Sequence, residues 1–210
     1  GNPGTVHVVS SNRRESECDI VKRNHSVIVC KLPAGIGRGL QVRYKQVPRG
    51  IPAGTETLAD QTFAYTAPTI TNVEPTVLPT SGNQELTVTG TNFGTGGLGL
   101  TSLTWTNGKG GSEKRVVIEH SHTRITFAIP PGVGANNEFR IAVGGQSVQR
   151  DFAYARPVVT KVLPNPFNAN GDRLTITGDN FGLLPTGGES VTVSGIPCTP
   201  KHVLPLSLIH

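Results

Sequence analysis

The feature that most constrains the fold is a ten-residue segment that occurs twice in the chain with few changes. Residues 85–94 are ELTVTGTNFG, and residues 173–182 are RLTITGDNFG. The two copies start 88 positions apart in a chain of 210 residues. A match at this spacing predicts that one folding unit of domain size occurs more than once.

The phrase itself predicts a strand that ends in a corner. Apolar residues alternate with threonines, so we expect Leu86 and Val88 to face a core and the threonines to face outward. Gly90 would permit a bend or a bulge that ends the alternation. Asn92 would hydrogen-bond its own turn, and Phe93 would close the end of the core.

Longer matches divide the chain into three predicted units. Residues 63–94 align with 152–182 at a shift of 89 that becomes 88, and residues 30–37 align with 127–134 at a shift of 97. The difference between the shifts predicts an insertion of eight residues in the first copy. We define unit one as residues 1–66, the back of a first unit, unit two as residues 67–155, a complete unit, and unit three as residues 156–210, the front of a third.

Unit two contains six short segments in which apolar and polar residues alternate. They are LTVTG (86–90), SLTWT (102–106), RVVIEH (115–120), RITFAI (124–129), EFRIAV (138–143) and DFAYA (151–155). Gly, Pro, Asn or Ser separates them at intervals of roughly ten residues, as is typical of a β-sandwich. The 26 glycines and 16 prolines also favour turns over helices. The sequence therefore predicts an all-β chain of tandem immunoglobulin-like sandwiches, with about seven strands in a unit.

The combined pattern resembles the IPT/TIG domain (immunoglobulin-like, plexin, transcription-factor type). The segments that carry the resemblance are residues 67–94, SVIVCKLPAGIG (26–37), FRIAVGGQ (139–146) and VTVSGIPC (191–198). It covers nearly the whole chain and is similar to the tandem arrays of large cell-surface or secreted proteins. The resemblance implies no common catalytic residues, so no enzyme is expected. Single domains of this type in Rel-like nuclear factors and in polysaccharide-processing enzymes provide two alternatives.

Two of the three cysteines flank a predicted hairpin in unit one. A hairpin centred near Asn24 would place Cys18 and Cys30 opposite each other, within reach of a disulfide. At the shift of 97 both positions lose cysteine together, to Arg115 and Phe127. We therefore expect a Cys18–Cys30 disulfide and an oxidising compartment. The alternative is two buried free thiols.

Cys198 occupies in unit three the position that Cys18 holds in unit one. A partner at the same spacing would fall on His210, so we expect Cys198 to be unpaired. Truncation or a divergent tail would explain this, and residues 204–210 match the family pattern poorly. Because the chain starts at Gly1 and contains no methionine, we interpret it as an excerpt of a longer protein, and any membrane anchor of that protein would lie outside this segment.

Signals for surface recognition are concentrated in unit one. Asn24-His25-Ser26 is the one N-glycosylation sequon of the sequence, at the predicted hairpin tip. Residues 1–50 carry nine Lys or Arg residues against three acidic ones. Such a segment can attract polyanions, and a solvated face is the alternative. The candidate polyanion contacts are Arg38, Arg43, Lys45 and Arg49.

Motifs for metal or cofactor chemistry are weak. His120 and His122 are predicted on one face of a strand, but a third ligand is missing, so we expect no metal site. GTGGLG (94–99) lies between two predicted strands and lacks the helix that a phosphate loop requires. We expect no cofactor.

The function expected from these observations is a non-catalytic extracellular or cell-surface array. Pro68 and Pro157 each come shortly after the last predicted strand of a unit. A proline at this place would stiffen the joint to the next unit. The expected ligand is a protein or a glycan of unknown identity, and no nucleic acid is expected.

Overall fold

Strands account for all the regular structure among the residues that the computed structural model describes, so the all-β prediction is confirmed. The structure describes residues 4–10, 14–46, 54–94, 100–166, 173–182 and 190–198. Within these ranges, no helix is long and apolar enough to cross a bilayer.

Unit one forms one antiparallel sheet. Its strands are β1 (Thr5–Val9), β2 (Glu15–Arg23), β3 (Ile28–Lys31), β4 (Leu40–Gln46) and β5 (Thr55–Phe63). They lie in the order β3-β2-β1-β4-β5. β2 pairs with β1 along its first half and with β3 along its second half. The buried apolar residues of this sheet are Val6, Val8, Val9, Cys18 and Leu40.

Unit two is a sandwich of two four-stranded antiparallel sheets. Its strands are β6 (Thr69–Glu74), β7 (Glu85–Thr91), β8 (Leu100–Thr106), β9 (Ser112–Lys114), β10 (Val117–His120), β11 (Arg124–Ala128), β12 (Asn137–Val143) and β13 (Gln146–Phe152). One sheet has the order β10-β11-β7-β6 and the other β13-β12-β8-β9. The chain changes sheets between β9 and β10.

The core of unit two lies between these sheets. Leu86 and Val88 of β7 are fully buried, as the alternation predicted. The rings of Trp105 and Phe127, which belong to opposite sheets, meet edge to face with centroids 6.2 Å apart. Phe127 also meets Phe139 at 5.7 Å. Aromatic contacts across the two layers therefore hold the sandwich together.

Gly90 has a different role from the one predicted. β7 continues through Gly90 to Thr91, and the irregularity in the ladder lies on β6, between Ile70 and Asn72. A Cβ on Gly90 would overlap the Thr69 carbonyl oxygen and meet the Phe93 ring. Glycine is required because the neighbouring strand and the buried Phe93 approach the backbone too closely for a side chain.

Two strand predictions in unit two were wrong in extent. RVVIEH forms a strand over only its last four residues, because Arg115 and Val116 lie in the crossover between β9 of one sheet and β10 of the other. The last strand is β13, which begins at Gln146 and ends before Tyr154, and Tyr154 makes only an isolated bridge with Leu78. Unit two thus has eight described strands, where about seven were expected.

Unit three is described in two pieces. β14 (Val158–Leu163) pairs with β15 (Thr175–Asp179), and β16 (Val191–Val193) pairs with β17 (Ile196–Cys198). β14 and β15 correspond to β6 and β7 of unit two, at the shifts found in the sequence.

Candidate functional site: the joints and the disulfide hairpin

Units one and two meet through two glycines. Gly37 lies in the loop between β3 and β4, and Gly144 lies in the turn between β12 and β13. The Arg38 amide donates to the Gly144 carbonyl oxygen at 3.3 Å. The Gln146 side-chain amide donates to the Tyr65 carbonyl oxygen at 3.0 Å. A Cβ on Gly144, whose φ is +56°, would lie 2.5 Å from the Gly37 Cα, so the two backbones are in direct contact.

Side chains from both units enclose a cleft beside this contact. Ile36 of unit one packs against the core of unit two. The cleft measures about 220 Å³, and its lining includes Tyr65 from unit one and Asn92 and His122 from unit two. The Asn92 side-chain amide donates to the Ala67 carbonyl oxygen at 3.1 Å. The prediction that Asn92 bonds its own turn was therefore wrong, because its side chain reaches the link between the units.

The joint between units two and three uses equivalent residues. The Asn180 side-chain oxygen accepts from the Thr80 amide at 3.4 Å. Gly182 faces Val133, the counterpart of Ile36, and a Cβ on Gly182 would lie 2.7 Å from the Val133 Cγ1. Asn180 and Gly182 follow Asn92 and Gly94 by 88 positions. The repeated NFG corner thus faces the preceding unit at both joints.

A tyrosine anchors the chain close to the end of units one and two. The Tyr65 hydroxyl donates to the Pro33 carbonyl oxygen at 2.8 Å, and the Tyr154 hydroxyl donates to the Pro130 carbonyl oxygen at 2.7 Å. Burial raises the pKa of Tyr154 to about 12, against a smaller lowering by the Arg115 charge. Burial also raises the pKa of Tyr65. Both hydroxyls are therefore held in the protonated, donating form.

The hairpin of β2 and β3 carries a disulfide between Cys18 and Cys30. Their Cα atoms are 5.6 Å apart, and Cys18 is only 2% exposed. The predicted register was wrong, because Ile20 lies opposite Cys30. The Asn24 amide bonds the Val27 carbonyl oxygen, which moves the centre of the turn beyond Asn24. The disulfide therefore joins diagonal neighbours.

At the equivalent corner of unit two, an arginine replaces the disulfide. Arg115 stands at the Cys18 position, and its Nε and Nη2 donate to the Ala128 carbonyl oxygen at 3.2 and 2.9 Å. Its Nη1 lies 3.2 Å from a Glu113 carboxylate oxygen. Two hydrogen bonds of one side chain connect the chain crossover with the end of β11, and its ion pair connects the crossover with β9.

The hairpin tip exposes the glycosylation sequon. The Asn24 side-chain oxygen accepts from the Ser26 amide at 2.9 Å and from the Val27 amide at 2.7 Å. Asn24, His25 and Ser26 are all exposed. The side-chain oxygen thus closes the turn while the sequon stays accessible from solvent.

Comparison with known proteins assigns a family to unit two. The model of the IPT/TIG domain family matches residues 68–154, which hold both sheets of the sandwich. Residues 68–154 form an IPT/TIG domain. The boundaries between the three units stay predictions. Among solved structures, the chain is similar to the extracellular region of plexin A4, domains 1 to 10, at 20% identity and a TM-score of 0.34. The match covers 97% of this chain and 17% of that chain, so the chain spans a small part of its length.

The predicted basic residues precede the IPT/TIG domain, and those that the structure describes lie at two places, on β4 and at the joint with that domain. Arg43 forms an ion pair with Glu15. Lys45, which is exposed, lies opposite Glu56 on β5. Arg38 is exposed at the joint, where its amide bonds the Gly144 carbonyl oxygen, and Arg49 lies outside the described residues. The Glu15 carboxylate therefore offsets much of the charge of Arg43, and polyanion binding stays a prediction.

The two histidines of the IPT/TIG domain differ in environment. His120 ends β10, and its Nε2 lies 2.8 Å from the Phe93 carbonyl oxygen. His122 lies beyond the strand, in the turn before β11, so the prediction that both share one strand face was wrong. Among the residues that the structure describes, no three His, Cys, Asp or Glu side chains group as metal ligands.

Most of the remaining predicted positions lie outside the residues that the structure describes. Cys198 ends β17 as a free thiol. His210 and residues 204–210 lie outside the described residues, as does most of the glycine-rich run after Gly94.

Proposed function

We propose that this chain is part of a non-catalytic extracellular or cell-surface array, in which serial units space or present binding surfaces. The observation that carries the proposal is the first joint, where Gly37 and Gly144 bring two backbones into contact. β5 ends at Phe63 and β6 begins at Thr69, so the link is five residues of which Pro68 is one. A short link with a proline and direct contacts supports a stiff series of units.

Small-angle scattering and a glycine substitution test this stiffness. We expect an elongated particle for residues 1–210. Gly144→Ala places a Cβ against Gly37 and should widen the distribution of distances between the units. Gly110→Ala is the matched control, because Gly110 has a φ of +85° but nothing within 4 Å of its Cβ position. A compact particle, or equal effects of the two substitutions, would count against the array.

The extracellular part of the proposal is supported by the disulfide, since such bonds persist mainly in oxidising compartments. The test is a non-reducing peptide map of protein made in a secretory host. We expect a Cys18–Cys30 crosslinked peptide, a free Cys198 and sugar on Asn24. Ser26→Ala should abolish the sugar and leave the crosslink intact. Three free thiols would favour the Rel-like nuclear alternative instead.

For the ligand we propose a protein or a glycan. The exposed cations Arg38 and Lys45 support a sulfated polysaccharide, and such binding weakens steeply with salt. Retention on heparin should exceed retention on a plain cation exchanger of equal charge, and Arg38→Ala and Lys45→Ala should each reduce the excess. Equal retention on both columns would leave only nonspecific attraction.

A further inference from the structure

A chemically labile pair of residues lies at the tip of the β8–β9 hairpin in unit two. Asn107 is followed by Gly108, and both are exposed to solvent. In such a pair the glycine nitrogen can attack the asparagine side-chain carbon, because glycine has no side chain that shields its backbone. Among the residues that the structure describes, Asn107 is the one asparagine that precedes a glycine. The tip therefore carries the groups for a modification that needs only water.

The Asn107 side chain is held inside the turn. Its oxygen accepts from the Lys109 amide at 3.0 Å and from the Gly111 amide at 2.9 Å. The Asn107 carbonyl oxygen also accepts from the Gly110 amide at 2.9 Å. Ring closure would move the side chain onto the Gly108 nitrogen, so we expect the turn to open before the two groups react.

The attacking nitrogen is also engaged. The Gly108 amide donates to the Asn137 side-chain oxygen at 3.3 Å. Asn137 is only 1% exposed, and its side-chain amide donates to the Gly134 carbonyl oxygen at 3.0 Å. A Cβ on Gly108 would lie 2.8 Å from the Ala135 carbonyl oxygen. Gly108 thus packs against the loop before β12, and its N–H bonds a buried side chain.

We propose that Asn107 is a deamidation site, which the closed tip keeps unreactive and which local opening of the tip releases. In the open tip the Gly108 nitrogen bonds the Asn107 side-chain carbon. Its proton passes through water to Nδ2, the bond from the side-chain carbon to Nδ2 breaks, and ammonia leaves. Water then hydrolyses the cyclic imide to aspartate or isoaspartate. The rate follows the fraction of molecules in which the tip is open.

The product changes unit two at an exposed edge. Either product has a carboxylate in place of the amide, and isoaspartate adds one atom to the main chain within the turn. β9 has three residues, and among the described strands it pairs with β8 alone, from Ser112 opposite Thr106. An extra main-chain atom in the turn shifts this register. Because Glu113 of β9 forms the ion pair with Arg115, the change would reach the crossover to the other sheet.

Peptide mapping of the full chain tests the site, after incubation at neutral pH in native buffer and in guanidinium chloride. The mass increase of the peptide that contains Asn107 measures deamidation, and enzymatic methylation detects isoaspartate. We expect the rate at Asn107 to be lower in native buffer by more than about tenfold, because only the open tip reacts. The second Asn-Gly pair of the sequence, Asn170-Gly171, is the chemical reference and should react at a similar rate in guanidinium chloride.

Two substitutions weaken the closed tip without changing the reacting pair. Gly111→Ala places a Cβ 2.8 Å from the Asn107 Nδ2, and Asn137→Ala removes the partner of the Gly108 amide. Each should raise the rate in native buffer by about fivefold, since a contact of the closed tip is lost. Gly111→Ala keeps the buried Asn137 and provides the measurement if Asn137→Ala does not fold.

Tyr154→Phe is the control. It removes a hydrogen bond of unit two outside the tip, so the rate at Asn107 should change by less than about twofold if local opening controls the reaction.

Three results would overturn the proposal. Equal rates at Asn107 in native buffer and in guanidinium chloride would show that the fold does not protect the site. Unchanged rates in the tip variants would show that these contacts do not control the reaction. A rise for Tyr154→Phe as large as that for Gly111→Ala would show that the reaction follows unfolding of the whole unit. None of them bears on the array or the compartment, so the proposed function is tested separately.

Discussion

Units one and two differ in the interaction that stabilises one equivalent position of the chain, which is Cys18 in unit one and Arg115 in unit two. In unit one Cys18 is covalently bonded to Cys30. In unit two Arg115 spans the same corner with hydrogen bonds to Ala128 and an ion pair with Glu113. The two corners correspond in position, since Cys18 lies opposite Val6 and the Arg115 amide bonds the counterpart of Val6, Leu103.

The difference follows from what surrounds each corner. Phe127, at the Cys30 position, is fully buried between two sheets in unit two. There a polar bridge to the end of β11 accompanies a complete aromatic core. The described part of unit one has few buried side chains, and a bond that restricts the unfolded chain stabilises it without needing a core. The disulfide thus stabilises unit one by restricting the conformations of the unfolded chain. Arg115 stabilises unit two through contacts in the folded state.

The largest expected effect comes from removing the bond. Cys18→Ala with Cys30→Ala opens a ring with a sequence separation of 12 and should lower the free energy of unfolding of unit one by about 3 kcal/mol. Trp105, the single tryptophan, is buried in unit two, so its fluorescence follows unit two. The unfolding transition followed by circular dichroism should move to a lower urea concentration. The transition followed by Trp105 fluorescence should move much less. Equal shifts would show that the two units unfold together.

The second effect comes from the arginine corner. Arg115→Ala leaves the Ala128 carbonyl oxygen without the two charged donors and should lower the free energy of unfolding of unit two by about 2 kcal/mol. Urea unfolding followed by Trp105 fluorescence measures it. Arg124→Ala is the control, because its ion pair with Glu119 is exposed and should contribute below about 0.5 kcal/mol. Equal losses for the two variants would mean that Arg115 is an ordinary surface cation.

A smaller effect is expected at the Tyr154 anchor. Tyr154→Phe removes the bond to the Pro130 carbonyl oxygen and should cost about 1 kcal/mol at neutral pH. Tyr65→Phe is the matched change in unit one and should leave the Trp105 transition in place. A shift of that transition as large as the one from Tyr154→Phe would contradict the separation of the two anchors.

The pH dependence of the stability of unit two provides a second test of the Tyr154 anchor. The pKa of Tyr154 is about 12 in the folded protein and about 10 in an unfolded chain. Between these values the folded state holds the proton more tightly, so stability is present below pH 10 and is lost as the pH rises toward 12. Unfolding midpoints at increasing pH should fall less steeply for Tyr154→Phe than for the parent. Parallel curves would contradict this role of Tyr154.

The sequence predicted that the links between units are short and that their corners are equivalent. It did not predict which residues of two units make contact. The prolines after each last strand indicated short links, and the repeated NFG phrase indicated equivalent corners. The contact of Gly37 with Gly144 joins residues more than 100 positions apart, and no local pattern reports it. The paired glycines in VGGQ and the repeated glycines of PAGIG and PPGVG were the available signals, since glycine allows backbones to approach closely.

The sequence by itself determined the all-β class, the repeated unit and the identity of the cysteines that pair. These follow from local alternation and from internal comparison, because side chains alternate across every strand and the NFG corner recurs in two units. Tertiary structure alone decided that Gly90 must be glycine because a neighbouring strand approaches it, that the first two residues of RVVIEH lie in a crossover between sheets, and that Arg115 replaces a disulfide. Each of these depends on atoms from distant parts of the chain, whose distances are fixed only when the two sheets pack together.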